Sequence, residues 1–325
     1  MLRAGIIGAG AAGRAHARAL TAVDDVRLVG VHDPDADQAL HLAGAASAEA
    51  FADVNELLAA VDVVVVCSPT DLHGEHALRA AVAGVDVLLE RPVVARPQEL
   101  MKLHAAIARA PKRPVVQAGH AALFDPLLRQ LLRTLAPHEP ALIDLCHLVP
   151  KGPGLSPPPS VEELLYDVLS ALHPLSRSAP SSVHAASRRR RNAGGLEHVS
   201  ALIECDDGTI VNLQVGHLAA VPTRTARVTT QTAVVEADAA TMTVSLTPRA
   251  GLPRTVVAPD PVTVHAEGED PLVVQARAFL GAVRERGVPG VPLAAALPVL
   301  ELTEQVLRRA EIGERLGHSG GRRAA

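Results

Sequence analysis

The chain has 325 residues, with 31 Lys and Arg against 35 Asp and Glu and a net charge of -4, so it carries no general basic field for a nucleic acid or an anionic membrane. One Tyr, three Phe and no Trp leave nothing from which to build a base-stacking platform. Cys67, Cys146 and Cys205 lie far apart without paired spacing, which fits neither a disulfide framework nor a zinc site and predicts a reducing compartment and no metal.

Met1 leads within a few residues into a strand-like run, not into a basic region, an apolar stretch and a cleavage site, and this predicts a cytoplasmic protein. No apolar run approaches the ~20 residues of a membrane-spanning helix. From Leu2 to about Gln117, β-rich runs alternate with Ala- and Leu-rich stretches. Leu2 to Ile7, Val26 to Val31, Val61 to Cys67, Val85 to Leu89 and Pro114 to Gln117 read as strands, near-continuously apolar because helices cover both faces of a parallel sheet. Gly84 stands where a left-handed C-cap is wanted after Glu75 to Ala83, and Pro97 opens Gln98 to Arg109.

The first strand runs into Gly8-Ala9-Gly10-Ala11-Ala12-Gly13, which opens the helix Ala11 to Leu20, and Asp33 closes the second strand about twenty positions on. Gly8 permits a tight turn, Gly10 removes the Cβ that would block a pyrophosphate, and Gly13 lets helix and strand pack closely. The N–H groups that begin the helix face the phosphates. Strand, glycine turn, helix and acidic residue together predict a dinucleotide-binding Rossmann domain. Asp33 suits the two ribose hydroxyls of NAD(H), and His32-Asp33-Pro34-Asp35 supplies no Arg for the extra phosphate of NADP(H). Asp33 also suits the cap of a helix starting near Ala36. Two further strand ends, Cys67-Ser68-Pro69-Thr70-Asp71-Leu72-His73 and Glu90-Arg91-Pro92, lie where an open parallel sheet binds ligands, and Gln117 closes the last strand.

After about Leu123 the texture changes. Pro and Gly cluster between Pro150 and Pro159, and the later strands alternate. Ala201 to Glu204 and Ile210 to Val215 flank the hairpin signal Asp206-Asp207-Gly208; Ala226 to Gln231, Val234 to Ala237 and Met242 to Leu246 continue an antiparallel sheet, one face of which can wall a substrate cleft. Leu272 to Arg286 and Leu293 to Ala310 carry helical spacing. The expected architecture is α/β: a doubly wound parallel sheet over residues 1–121, an α/β domain with an open, mainly antiparallel sheet over 122–316, and a frayed tail over 317–325.

Four stretches, GIIGAGAAGRAHARAL, VDVVVVCSPTDLHGEHALRAAVAGVDVLLERPVV, QAGHAALFDP and PLVVQARAFLGAVRERG, resemble in order and spacing the glucose-fructose oxidoreductase and inositol dehydrogenase family across nearly the whole chain. The resemblance implies a nicotinamide-dependent enzyme with a substrate domain whose open sheet often mediates oligomers, so a homo-oligomer is expected. Sugars, polyols, nucleotide sugars and imines are the implied substrates, and Gly119-His120 with Phe124 and Pro126 resembles the members acting on sugar nucleotides. On the cofactor side it implies the glycine turn, Asp33, Ser68, Thr70, His73 and, beside the nicotinamide ribose, Glu90.

The chemistry side departs from the family. Where the family has Lys in a Glu-Lys-Pro triplet, this chain has Arg91, which stays charged and can anchor a substrate oxygen but is a poor general acid or base. The family's helical Asp, with His four residues on, is also altered: Asp167 is followed at that spacing by Ala171, and His173 is preceded by Leu169. Asp167 keeps its place, or His173 does, or a break near Ser170 to Pro174 frees the geometry. His173 suits proton transfer, with His120, His147 and Tyr166 in reserve. Arg188 to Arg191 form a cationic run read as a solvated loop. Two functions follow: an NAD(H)-dependent oxidoreductase on a secondary alcohol, ketone or imine, or a protein of the same fold that retains NAD(H) with lost or altered redox turnover, such as a lyase or isomerase using transient oxidation.

Overall fold

The computed structural model describes residues 1–152, 158–189, 195–249 and 262–320, with side chains up to residue 311. Two compact units emerge, the first made of Met1–Phe124 and Glu269–Leu300, the second of Asp125–Gly268 and the residues onward from Glu301.

In the first unit β1 (Leu2–Ile7), α1 (Ala11–Thr21), β2 (Val26–His32), α2 (Ala36–Ala46), β3 (Glu49–Phe51), α3 (Val54–Ala60), β4 (Val63–Val66), α4 (Thr70–Ala83), β5 (Asp86–Leu89), α5 (Pro97–Ala108) and β6 (Val116–Ala118) follow in turn. The strands form a six-stranded sheet of order β3-β2-β1-β4-β5-β6, every pair parallel. Val63 to Val66 are fully buried, as a central strand covered on both faces demands. The order reverses between β1 and β4, and that reversal opens a crevice at their carboxyl ends. Gly84 takes the left-handed cap at φ 74° and Pro97 opens α5, as expected. The edge strand β3 was not foreseen: its three residues are too few to show a period.

The second unit holds α6 (Pro126–Leu135), β7 (Pro140–Leu148), α7 (Val161–Ser176), β8 (Pro180–Arg189), β9 (Leu196–Cys205), β10 (Ile210–Gly216), β11 (Thr223–Thr230), β12 (Ala233–Asp238), β13 (Thr243–Pro248) and β14 (Val262–His265). They build an eight-stranded sheet of order β14-β13-β12-β11-β7-β10-β9-β8 in which only β7 and β10 run parallel. The foreseen hairpin joins β9 to β10, with Gly208 at φ 85°. Helices α6 and α7 pack on one face, against Ile143, Val199, Ile203, Val211, Leu213 and Val235 among others. The strands β7 and β8 were missed in the sequence because His147 breaks the alternation of one, falling on the face of Ile143 and Leu145, and the edge strand β8 is rich in Ser, Ala and Arg.

The chain then re-enters the first unit. Helix α8 (Pro271–Glu285) buries Val273, Ala276, Phe279, Leu280 and Val283 in one core with Leu20, Leu28 and Val31, which is why Glu269–Leu300 groups with the dinucleotide-type sheet although it follows the second unit in sequence. Arg286 closes this attachment by reaching the buried Asp86 carboxylate at 2.8 Å. After a single 3-10 turn at Leu293–Ala295, α9 (Ala296–Gly320) continues helical into the stretch expected to fray; residues 321–325 lie outside the described residues. Among the described residues no helix is long and apolar enough to cross a membrane.

Candidate active site

The crevice of the first unit is built from the glycine turn upward. Gly8 sits at φ 101°, and a Cβ there would lie 2.5 Å from the Cys67 carbonyl oxygen; a Cβ on Gly13 would lie 1.9 Å from the Gly8 carbonyl oxygen. Both contacts are to backbone, so neither position admits a side chain. Gly10 differs: a Cβ there would meet nothing within 4 Å, so open space lies before it. Helix α1 has no side-chain cap and no acid in its first turn, whereas α2, α3 and α7 are capped by Asp35, Asp53 and Ser160. The first-turn N–H groups around Ala11 and Ala12 therefore point a positive dipole end at open space, which fits a pyrophosphate. Asp33 Oδ2 accepts from the Ala9 N–H at 2.7 Å, joining the acidic residue directly to the turn. Its Oδ1 accepts from the Asp35 N–H, and Asp35 caps α2, so the cap expected of Asp33 belongs to its neighbour.

The ends of β4 and β5 complete the crevice. Ser68 Oγ lies 2.9 Å from His76 Nδ1, Pro69 precedes α4 and Thr70 opens it. His73 is buried, with Nδ1 2.9 Å from the Pro92 carbonyl and Nε2 2.7 Å from the Ser68 carbonyl, so its ring ties the two strand-end loops together. Burial holds its pKa below the ordinary histidine value despite those two carbonyls. The Arg91–Pro92 peptide is cis.

Glu90 is the electrostatic centre of these loops. Burial alone would raise its pKa, but the His16 hydrogen bond and the charges of His16 and Arg91 outweigh it and hold the carboxyl below its usual range. His16 Nε2 lies 2.8 Å from Glu90 Oε2, and Arg91 Nε lies 3.8 Å from Oε1. Burial, with the Glu90 charge added, pushes the Cys67 thiol well up. His120, 2 % exposed, has its pKa lowered to about 4 by burial, with Glu90 raising it and Arg91 lowering it. Gly119 fits beneath: a Cβ there would be 2.7 Å from the Leu89 carbonyl oxygen and 2.9 Å from Glu90 Cα.

The structure thus gathers Gly8, Gly10, Ala11, Ala12, Gly13, Asp33, Ser68, Pro69, Thr70, His73, Glu90 and Arg91 at the carboxyl ends of β1, β2, β4 and β5. Gln117 is placed elsewhere: fully buried, it donates to the Gln275 carbonyl of α8. In the second unit α7 carries Tyr166, which is 1 % exposed, half-buried Asp167 and exposed His173. The helix runs unbroken through Pro174, so Asp167 and His173, six residues apart, occupy different faces. Of the three possibilities, the break near Ser170 to Pro174 is absent. His147 is half-buried in β7. Arg188 pairs with Glu197 at 3.0 Å and Arg189 with Glu311 at 3.5 Å, while Arg190 and Arg191 lie outside the described residues.

Sequence reasoning missed His16, His76 and the steric role of Gly119. A signal for His16 exists: on the stripe Gly13, His16, Ala17 and Leu20 it alone is polar. The face of the second sheet opposite α6 and α7 holds a concavity of about 720 Å³ lined by polar groups including Asp144, Asn212, Gln214, Arg227 and Glu236.

Residues 2–120 match the family described as "Oxidoreductase family, NAD-binding Rossmann fold". Over 317 residues, 95% of this chain and 99% of the other, the sequence is 29% identical to a UDP-N-acetylglucosamine 3-dehydrogenase of Acidithiobacillus ferrooxidans. The solved structure of the enzyme of that name from that organism superposes with TM-score 0.86 at 26% identity, covering 96% of this chain and 98% of that one. An inositol 2-dehydrogenase of Saccharopolyspora erythraea is 34% identical over 157 residues, 47% of this chain and 46% of that protein. The fold extends to GenD2 from gentamicin A biosynthesis in complex with NAD, with TM-score 0.78 and 23% identity over 96% of this chain and 95% of that one.

Proposed function

We propose that the chain, whose residues 2–120 match the oxidoreductase family with an NAD-binding Rossmann fold, is an NAD(H)-dependent dehydrogenase acting on a secondary alcohol of a sugar or nucleotide sugar. The observation that carries this reading is the direct bond between the glycine turn and Asp33, at the uncapped start of α1. The first unit holds the dinucleotide. Bound NAD would accept hydride from the carbinol carbon, leaving a ketone, and the hydroxyl proton has to pass to a base. His173, the imidazole of α7, takes that proton, and Arg91 holds the reacting oxygen by a charge-assisted hydrogen bond. NAD is preferred over NADP because the Asp33 carboxylate would repel a 2′-phosphate.

The reading of a cofactor-retaining protein without net turnover, or of a lyase or isomerase, is not favoured by relatives that carry dehydrogenase names. A second copy of the chain covers the open sheet face: by register Leu142, Ile210 and Leu202 share that face, and Ile210 is 41% and Leu202 38% exposed there. Incubation with NAD and a panel of UDP-sugars, free sugars and inositols, read at the NADH absorbance band, tests the activity. Reduction with at least one member is expected, with kcat falling at least about a hundredfold in His173→Gln. Absence of reduction across the panel contradicts it.

A further inference from the structure

His16 lies on the buried face of α1, 1 % exposed, between Gly13, Ala17 and Leu20. An aliphatic side chain is what packing alone would place there. A buried imidazole is costly unless both ring nitrogens find partners, and here only Nε2 does: Nδ1 is buried with no hydrogen-bond partner. The local rule is broken at a residue whose one contact is the carboxylate at the end of β5. The backbone that carries this carboxylate is itself fixed. The Glu90 N–H donates to the Val66 carbonyl at 2.9 Å, the Gly119 N–H to the Leu89 carbonyl at 2.7 Å, and no side chain can be added at Gly119.

We propose that His16 is a positioning residue for cofactor binding: its Nε2–H anchors Glu90 Oε2 from below, so that Oε1 stays presented beside Arg91 at the carboxyl end of β5, where the nicotinamide half of the dinucleotide lies. In the neutral ring as in the protonated one, a hydrogen belongs on the nitrogen that faces the carboxylate. One helix thereby serves both halves of the cofactor site, its uncapped start offered to the phosphates and its second turn steering Glu90. This inference rests on the dinucleotide reading given above.

The experiment compares NADH binding, followed by the emission of NADH itself, in the wild type, His16→Leu, His16→Gln and His16→Asn. Leucine continues the apolar stripe, glutamine places an amide near the position of Nε2, and asparagine falls short of the carboxylate. The expected result is about a tenfold weakening in His16→Leu and His16→Asn and recovery to within about threefold in His16→Gln. In the Glu90→Gln background, His16→Leu is expected to add nothing further. A second readout needs no cofactor: carbon-detected titration of the Glu90 carboxyl in the unliganded protein shifts upward in His16→Leu, a change that mere loss of packing would not produce. If leucine does not fold, the contrast between glutamine and asparagine decides. Equal binding by all four proteins, or additive losses with Glu90→Gln, overturns the role of His16. Failure of the wild type itself to bind NADH overturns the cofactor reading instead.

Discussion

At the scale of single residues, His120 shows how burial becomes a measurable pH dependence. Its pKa falls from 6.5 to about 4, so the unfolded chain binds its proton more readily than the folded one between those values. The sign follows: stability is complete above about pH 6.5 and is lost as the pH falls toward 4, by roughly 3 kcal/mol at the limit. Glu90, held below its ordinary value, adds a loss of the same sense in a lower window. Calorimetric thermal midpoints are expected to fall between about pH 7 and pH 5, and His120→Gln to flatten that slope. An unchanged slope in the variant would show that His120 is not the group responsible. Asp33 illustrates a different limit. Its sequence position served two readings, and only the structure separates them, because the cap of α2 belongs to Asp35 while Asp33 turns to the Ala9 N–H.

At the scale of elements, the glycine turn was legible because its requirements are local: a positive φ at Gly8 and a helix start pressed on a strand end. Gly13→Ala tests this. The added methyl would stand 1.9 Å from a backbone oxygen that cannot swing aside, so a loss on the order of 3 kcal/mol and at least tenfold weaker NADH binding are expected, read by denaturant unfolding and NADH emission. Full stability in that variant would mean the turn relaxes more freely than its contacts imply. The parallel strands were equally legible, since burial on both faces leaves a solid apolar run such as Val63 to Val66. What escaped depends on partners distant in sequence. Strand β7 sits between β11 and β10 and tolerates Asp144 because Asn212 on β10 donates to its carboxylate at 2.9 Å. Helix α7 kept its capping box at Ser160 and Glu163 and ran past Pro174, so helix continuity, which spacing alone could not supply, removes the break from the three possibilities for Asp167 and His173.

At the scale of the whole molecule, the sequence read two domains in simple succession, whereas α8 brings Phe279 and Leu280 back into the core of the first unit. Helical periodicity shows that a helix has an apolar face but not which core receives it. The open sheet face carries the prediction on assembly. Light scattering after size exclusion is expected to give a mass of at least twice the 33.8 kDa chain, and Ile210→Asp to shift it toward one chain; a wild-type monomer would remove that face as an interface. The cofactor claim underlies all the others, and calorimetric titration of the purified protein with NADH and then with NADPH tests it most directly. Saturable NADH binding is expected, with NADPH weaker by about tenfold or more because of Asp33, and a narrowed gap in Asp33→Ser. Binding of neither nucleotide, or tighter binding of NADPH, would contradict it.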